Sequence, residues 1–262
     1  MDPALRTAAT GMMAQQLRTE VIANNLANVN TTAFKRSRAH FVDLLYQTIQ
    51  APSVVAGHDA GVVPAIQVGR GTRLAGVQRL ETQGALEQTN RTLDLAINGD
   101  GYFQVQLPSG QVAYTRDGSF HVSDQGMLST SEGYAVAPGI QIPPDAANIA
   151  ISPAGIVTCT PAQSTQPVEL GTIELARFLN PAGLQALGSN LYQATPASGE
   201  PAAGLPLDEG LGQIEQGYLE SSNVEVVQEM VDMISAMRAY EITSKAVKNS
   251  ESMAEIANNL IR

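Results

Sequence analysis

Ser222-Asn223-Val224-Glu225-Val226-Val227-Gln228-Glu229-Met230-Val231-Asp232-Met233-Ile234-Ser235-Ala236-Met237 decides the fold, because it opens a run to Arg262 without a single Gly or Pro. Ser222 and Glu225 stand at capping-box spacing, in which each side chain satisfies a free N–H at a helix start. An apolar seam follows, spaced alternately by four and three residues through Val226, Met230, Met233, Met237, Tyr240, Ser244, Val247, Glu251 and Ala254. That spacing keeps one stripe turned toward a partner helix. Ser244 and Glu251 weaken its second half. Val227, Val231 and Ile234 flank the seam, Met253, Ile256 and Leu260 carry an apolar face to the end, and Glu241 and Lys245 add an outer i,i+4 pair. The pattern predicts a helix over 222–262, roughly 60 Å long at about 1.5 Å per residue. Such a helix needs a partner along its length.

The other end of the chain supplies one. Asp2 can cap a helix whose first position, Pro3, has no N–H to lose. Leu5, Ala9, Met12, Met13, Leu17, Val21, Ile22, Leu26 and Val29 then recur at helical spacing, and the polar run Asn28-Val29-Asn30-Thr31-Thr32 ends the helix near Asn28. The pattern leaves two arrangements open, an antiparallel pair within one monomer or pairing across copies.

Of 23 Gly and 14 Pro, all but Gly11 and Pro3 lie between Pro52 and Gly217. Between the helices the chain is therefore punctuated by turns. Leu93 to Ile97, Tyr102 to Leu107, Val112 to Thr115, Ser119 to Val122 and Tyr134 to Ala137 read as strands. Asn98-Gly99-Asp100-Gly101, Pro108-Ser109-Gly110, Asp117-Gly118 and Asp124-Gln125-Gly126 read as hairpin turns between them. Asn148 to Ile151, Ile156 to Cys159 and Ile173 to Phe178 add further strands, and the spacing suits a sandwich or partly open barrel. The fold class is α+β: long paired N- and C-terminal helices, coiled-coil-like, flanking a central mostly-β domain with extended connectors. The expected bounds are 1–30 and 222–262 for the helical assembly domain, 31–76 and 205–221 for extended connectors, and 77–204 for the β-rich domain.

Composition excludes several functions. Hydrophobic residues make up 44% of the 262 and charged residues 15%, few for a surface that is wetted everywhere; this predicts that much of it meets copies of itself. The net charge of −10 is uneven: Ala39 to Ser222 carries six Arg, no Lys and seventeen acids, which argues against nucleic acid and fits a solvated acidic face. The lone Cys159 excludes a disulfide framework within the chain. The start Met1-Asp2-Pro3-Ala4-Leu5-Arg6 lacks the layout of a cleaved signal peptide, and no apolar run reaches 18 residues.

Catalysis requires convergent groups, and few are present. His40, His58 and His121 are scattered, outside any H-E-x-x-H arrangement. Gly69-Arg70-Gly71 begins like a dinucleotide fingerprint but meets Leu74 at the third glycine. Asp94 to Gly99 imitates a calcium loop but places Ala96 at a ligand position and Val105 where the bidentate Glu belongs. Neither a G-x-S-x-G elbow nor a P-loop occurs. The expectation is a non-enzyme without cofactor or metal. A β-rich binding module on a helical stalk, monomeric in solution, and a hydrolase with an unrecognised site are the competing classes.

Two stretches are more specific. Val21-Ile22-Ala23-Asn24-Asn25-Leu26-Ala27-Asn28-Val29-Asn30-Thr31-Thr32-Ala33-Phe34-Lys35 resembles the N-terminal signature of bacterial flagellar rod and hook proteins. Gly217-Tyr218-Leu219-Glu220-Ser221-Ser222-Asn223-Val224, with Met237-Arg238-Ala239-Tyr240-Glu241 and Ser244-Lys245-Ala246-Val247, is similar to the signature at their other end. Asn98-Gly99-Asp100-Gly101-Tyr102-Phe103 and Tyr114-Thr115-Arg116-Asp117-Gly118-Ser119-Phe120 resemble the β domain between. Ala33 departs from the pattern, which has Gly there, and this tightens the local backbone. Length and the run Phe34-Lys35-Arg36-Ser37-Arg38-Ala39-His40-Phe41-Val42-Asp43-Leu44-Leu45-Tyr46-Gln47 are most similar to the distal part of the rod, the proximal rod coming next and the longer hook subunit after it.

The resemblance implies a subunit exported by the flagellar type III apparatus without a cleaved signal and polymerised helically into the periplasmic rod. Its implied partners are copies of itself, proximal rod proteins, the hook protein, and the peptidoglycan-ring and outer-membrane-ring proteins around the rod. The implied assembly interface is Leu5, Met12, Ile22, Asn24, Asn25, Leu26, Asn28, Asn30 and Phe34 on the N-terminal side. On the C-terminal side it is Val226, Met230, Met233, Ile234, Met237, Tyr240, Val247, Ile256 and Leu260. Asn side chains at the helix end would satisfy carbonyls and neighbouring subunits. The segment from Phe34 to Val68 is expected to lie extended against those neighbours as an outer contact layer.

Overall fold

The computed structural model describes residues 3–51, 53–54, 62–63, 65–162, 166–208 and 210–260. The chain forms two compact units, one of residues 1–27, 37–79 and 225–262 and the other of 28–36 and 80–224. The proposed Asp2 cap and His58 fall outside the described residues.

The first unit holds helices α1 (Pro3–Ala27) and α2 (Val226–Leu260). They run antiparallel. Asn25 meets Glu229, Arg18 meets Asp232 at 3.3 Å, and a Cβ placed on Gly11 would lie 3.6 Å from Thr243 Cγ2. The faces that meet are small and polar. Ala14, Ile22 and Asn25 are buried on α1, and Glu229, Ala236 and Ser250 on α2, with Met233, Ala239, Thr243 and Val247 half-buried beside them. The seam expected on α2 is therefore turned: Val226, Met230, Met237 and Tyr240 are exposed. Short side chains bring two backbones closer than methionines allow, and Gly11, Ala14, Ala236 and Ala239 supply them.

The capping box is not formed. α2 begins at Val226, and Glu225 supplies the first carbonyl, which accepts from the Glu229 N–H at 3.0 Å. Ser222 Oγ instead accepts from the Val224 N–H at 3.3 Å. Asn223 holds this segment extended, as described below, so the helix starts four residues after Ser222.

Most of the residues expected as an extended connector form a β-ribbon in this unit. Ser37–Asp43 pairs antiparallel with Thr72–Arg79, Tyr46–Gln50 with Ile66–Gly69, and Ser53–Val54 with Val62–Val63. The register slips between His40 and Phe41, where Ala75 is the extra residue between the partners Leu74 and Gly76.

The second unit is an antiparallel β domain. Tyr102–Gln106 is the central strand of the largest sheet: one edge pairs with Val112–Thr115, the other with Ala135–Val136 and Leu175–Arg177. Ala146–Ile151, Ile156–Pro161 and Val168–Thr172 form a three-stranded sheet. Alternation along the central strand sends Phe103 and Val105 into the main core with Leu95, Ile97, Phe120, Leu128, Ile173, Leu175 and Ile214. Tyr102 goes to a second cluster with Tyr114 and Phe178 on the opposite side.

Two of the four expected hairpin turns join paired strands: Pro108-Ser109-Gly110, and Asp124-Gln125-Gly126 between Phe120–Val122 and Leu128–Thr130. The other two are crossings. The strand before Asn98-Gly99-Asp100-Gly101, Leu95–Asn98, pairs with Gln213–Gln216 instead. At Asp117-Gly118 a Cβ on the glycine would lie 1.6 Å from the Leu95 carbonyl oxygen, so glycine lets the two backbones pass.

Candidate assembly surface

An apolar helix face gains stability only where it is covered, and the first three turns of α2 carry one on the side away from α1. Val227, Val231 and Ile234 are exposed on the side away from α1, with Val226, Met230 and Met237 beside them, and Met230 is 51% exposed although unbranched and apolar. From Arg238 onward the outer face gains Arg238, Glu241, Lys245 and Lys248. Met13 and Leu17 extend the exposed apolar surface onto α1, and Leu45, Tyr46, Ile49, Ile66 and Val68 expose a further set on the ribbon. Leu45 is 88% exposed. A two-stranded ribbon is marginal alone, and these residues have nothing of their own to pack upon.

The residues expected at an interface divide into two groups. Ile22 and Asn25 are buried, and Leu5, Met12, Leu26, Asn28, Phe34, Met233 and Val247 are half-buried. Asn24, Asn30, Val226, Met230, Ile234, Met237, Tyr240 and Ile256 are exposed. Leu260 lies in the last turn of α2, and its side chain falls outside the described residues.

Asn25 does more than cap. Its Nδ2 donates to the Ser37 carbonyl at 2.8 Å and to Glu229 Oε2 at 3.1 Å, and its Oδ1 accepts from the Ser37 N–H at 2.9 Å. One amide thus fixes α1, α2 and the ribbon at a single point, the register-setting use of a buried polar group. Asn28 accepts from the Thr31 N–H at 3.1 Å and closes the turn after α1.

The β domain contains a junction that motif reading did not single out. The buried Glu220 carboxylate accepts from Lys35 Nζ, from Arg116 Nη1 at 3.2 Å and from the Gly84 N–H at 2.9 Å. Lys35 Nζ also donates to the Thr82 carbonyl at 2.9 Å, and Arg116 Nη2 to the Gly99 carbonyl at 2.8 Å. Arg116 lies over the Tyr102 ring, 5.4 Å from its centroid. Burial lowers the Lys35 pKa from its ordinary value, and the Glu220 charge opposes the shift. A Cβ on Gly84 would lie 1.9 Å from the Ser221 carbonyl oxygen, so only glycine fits.

Beside it, Asn223 Oδ1 accepts from the Arg36 N–H at 2.7 Å while Nδ2 donates to the Leu80 and Thr82 carbonyls, each at 2.9 Å. Main-chain bonds run from Ala33 N–H to the Glu220 carbonyl at 2.8 Å and from Asn223 N–H to the Phe34 carbonyl at 3.3 Å. Ala33 is buried with φ of 56°, a backbone that favours glycine. Each of Lys35, Arg116 and Glu220 lies in a stretch quoted above, but no spacing in the sequence connects them.

Residues 5–35 match the family described as flagella basal body rod protein. Residues 96–159 match the flagellar hook protein FlgE/F/G D1 domain, and 215–260 the flagellar basal body rod FlgEFG protein C-terminal region. The chain is 51% identical over 264 residues to the flagellar basal-body rod protein FlgG of Borreliella burgdorferi, covering 100% of each. In Caulobacter vibrioides it is 47% identical to FlgG, covering 98% of each, and 33% identical to FlgF, covering 98% of this chain and 97% of the relative.

Proposed function

This chain belongs to the flagellar basal-body rod protein family, and from that premise we propose that it is a structural subunit of the distal rod, polymerising helically into a rigid shaft that carries motor torque across the periplasm to the hook. It is not an enzyme. The comparison within Caulobacter vibrioides, where identity to FlgG exceeds identity to FlgF, favours the FlgG type. The single observation that carries the polymer is the outward face of α2: Val227, Met230, Val231 and Ile234 are exposed where a free subunit gains nothing from them.

In this reading Val226, Met230, Ile234, Met237, Tyr240 and Ile256 meet helices of neighbouring copies in a coiled-coil-like layer. Ile22, Asn25 and Met233 hold each subunit's own pair in register. Leu45, Tyr46, Ile49, Ile66 and Val68 give the ribbon an outer contact layer. The flagellar export apparatus delivers the subunit without a cleaved signal, and proximal rod proteins, the hook protein and the rings around the rod are its neighbours. Electron microscopy of concentrated protein, and of basal bodies carrying a tagged copy, tests this. Straight tubes and label on the rod are expected. A chain that stays monomeric at high concentration and never joins basal bodies would favour the helical-stalked binding module.

A further inference from the structure

We infer that the Lys35–Glu220–Arg116 junction is a latch that holds the roots of the two terminal helices together in the free subunit, before any other copy is present. This rests on the reading that copies assemble, and adds what readies one copy for it. The latch lies wholly within the β domain, whose core closes on its own residues. Its members come from distant parts of the chain: Lys35, eight residues after the end of α1, and Glu220, six before the start of α2. Arg116 comes from the middle.

Glu220 is the hub. One carboxylate serves two buried cations and the Gly84 N–H, so without it Lys35 and Arg116 are left buried and short of charge. With it, Ala33 and Phe34 are zipped to Glu220 and Asn223 by main-chain bonds. The chain segments that lead to the two helices are therefore joined to each other within the β domain. Pairing of α1 with α2 within one copy then proceeds at a higher effective concentration than it would without the latch. The latch thereby disfavours exchange of α2 between copies, the route to swapped dimers.

The test uses full-length Glu220→Gln, which keeps side-chain size and removes the charge, and Lys35→Met, which leaves Arg116 and Glu220 paired. Amide exchange in the dilute monomer is expected to quicken roughly tenfold or more at Ala33 and Gly84, with Leu128 and Ile142 in the core unchanged. The critical concentration for polymerisation is expected to rise roughly tenfold, with swapped dimers in sedimentation. Should Glu220→Gln fail to fold, Lys35→Met carries both measurements. Ala33 and Gly84 amides as protected as in the unmodified chain would overturn the latch. So would freed amides with an unchanged critical concentration and no swapped dimers. If the unmodified chain does not polymerise at all, the rod reading fails, and amide exchange with the dimer measurement still decides the latch.

Discussion

The β domain and the helical unit treat apolar side chains in opposite ways. In the β domain Leu95, Phe103, Val105, Ile173 and Leu175 are fully buried. In the helical unit, among the described residues, the buried apolar side chains are Ala14, Ile22 and Ala236, two of them alanines. Many of its large apolar residues are exposed, among them Met13, Leu45, Val227, Met230, Val231 and Ile234. Charge divides the same way: residues 28–36 and 80–224 carry fifteen acids and five bases, and the rest of the chain ten of each. The β domain thus holds the whole net charge and a finished core. The helical unit is neutral and exposes much of its apolar surface, so in the proposed reading copies meet through it without net repulsion between their helices.

The contrast predicts unequal responses to mutation. Phe103→Ala removes a ring packed edge-on against Phe120 at 5.1 Å and should cost about 3–5 kcal/mol, seen as a lower denaturation midpoint of the β domain. Ile234→Asp should move that midpoint by no more than about 0.5 kcal/mol, because the residue is half exposed in the free chain. It should nonetheless abolish polymerisation, since a carboxylate buried between copies costs several kcal/mol. Sedimentation separates the two outcomes, and Ile234→Asp tubes would break the contrast.

Asn25→Ala strips the Ser37 main chain and Glu229 of a buried partner and should cost about 1–3 kcal/mol. The loss should appear as faster amide exchange at Ser37 and in α2, with the β domain unaffected.

A smaller effect is expected from alkali. Burial first, then the charge of Glu81, which accepts the Tyr102 O–H at 3.0 Å, raise the Tyr102 pKa above its ordinary 10.0. A pKa raised on folding gives stability that is present below the unfolded value and lost as pH rises through and above it, so the β domain should weaken above pH 10.0. Lys35 has the opposite sign: its pKa is lowered on folding, so its contribution grows as pH rises toward 10.5. Tyr102→Phe should remove most of the alkaline loss in thermal melts near that pH.

Much of this was legible in the residues, for reasons that also mark where legibility stopped. Scarcity of Gly and Pro at both ends announced two helices, and alternation announced strands such as Tyr102–Gln106. The orientation of α2 was not announced. The seam through Val226, Met230 and Met237 is a true periodicity, but periodicity does not say whether a stripe faces its own partner or another molecule, and small residues took the inner place. The ribbon was obscured because the glycines and prolines between Gln50 and Gly76 dominated the local composition, although Ile66 to Val68 alternate. The Glu220 junction was not legible as a unit, because its partners, each in a separate quoted stretch, are brought together by tertiary closure across long stretches of chain.

Hydrogen exchange of α2 in dilute monomer and in polymer tests the division of labour most directly. The account predicts that amides from Val226 to Ile256 are only partly protected in the monomer and become strongly protected in the polymer, while Leu128 and Ile142 in the β-domain core are protected equally in both. Equal, strong protection of Val226 to Ile256 in both states would contradict it, because the helical unit would then be complete without its neighbours.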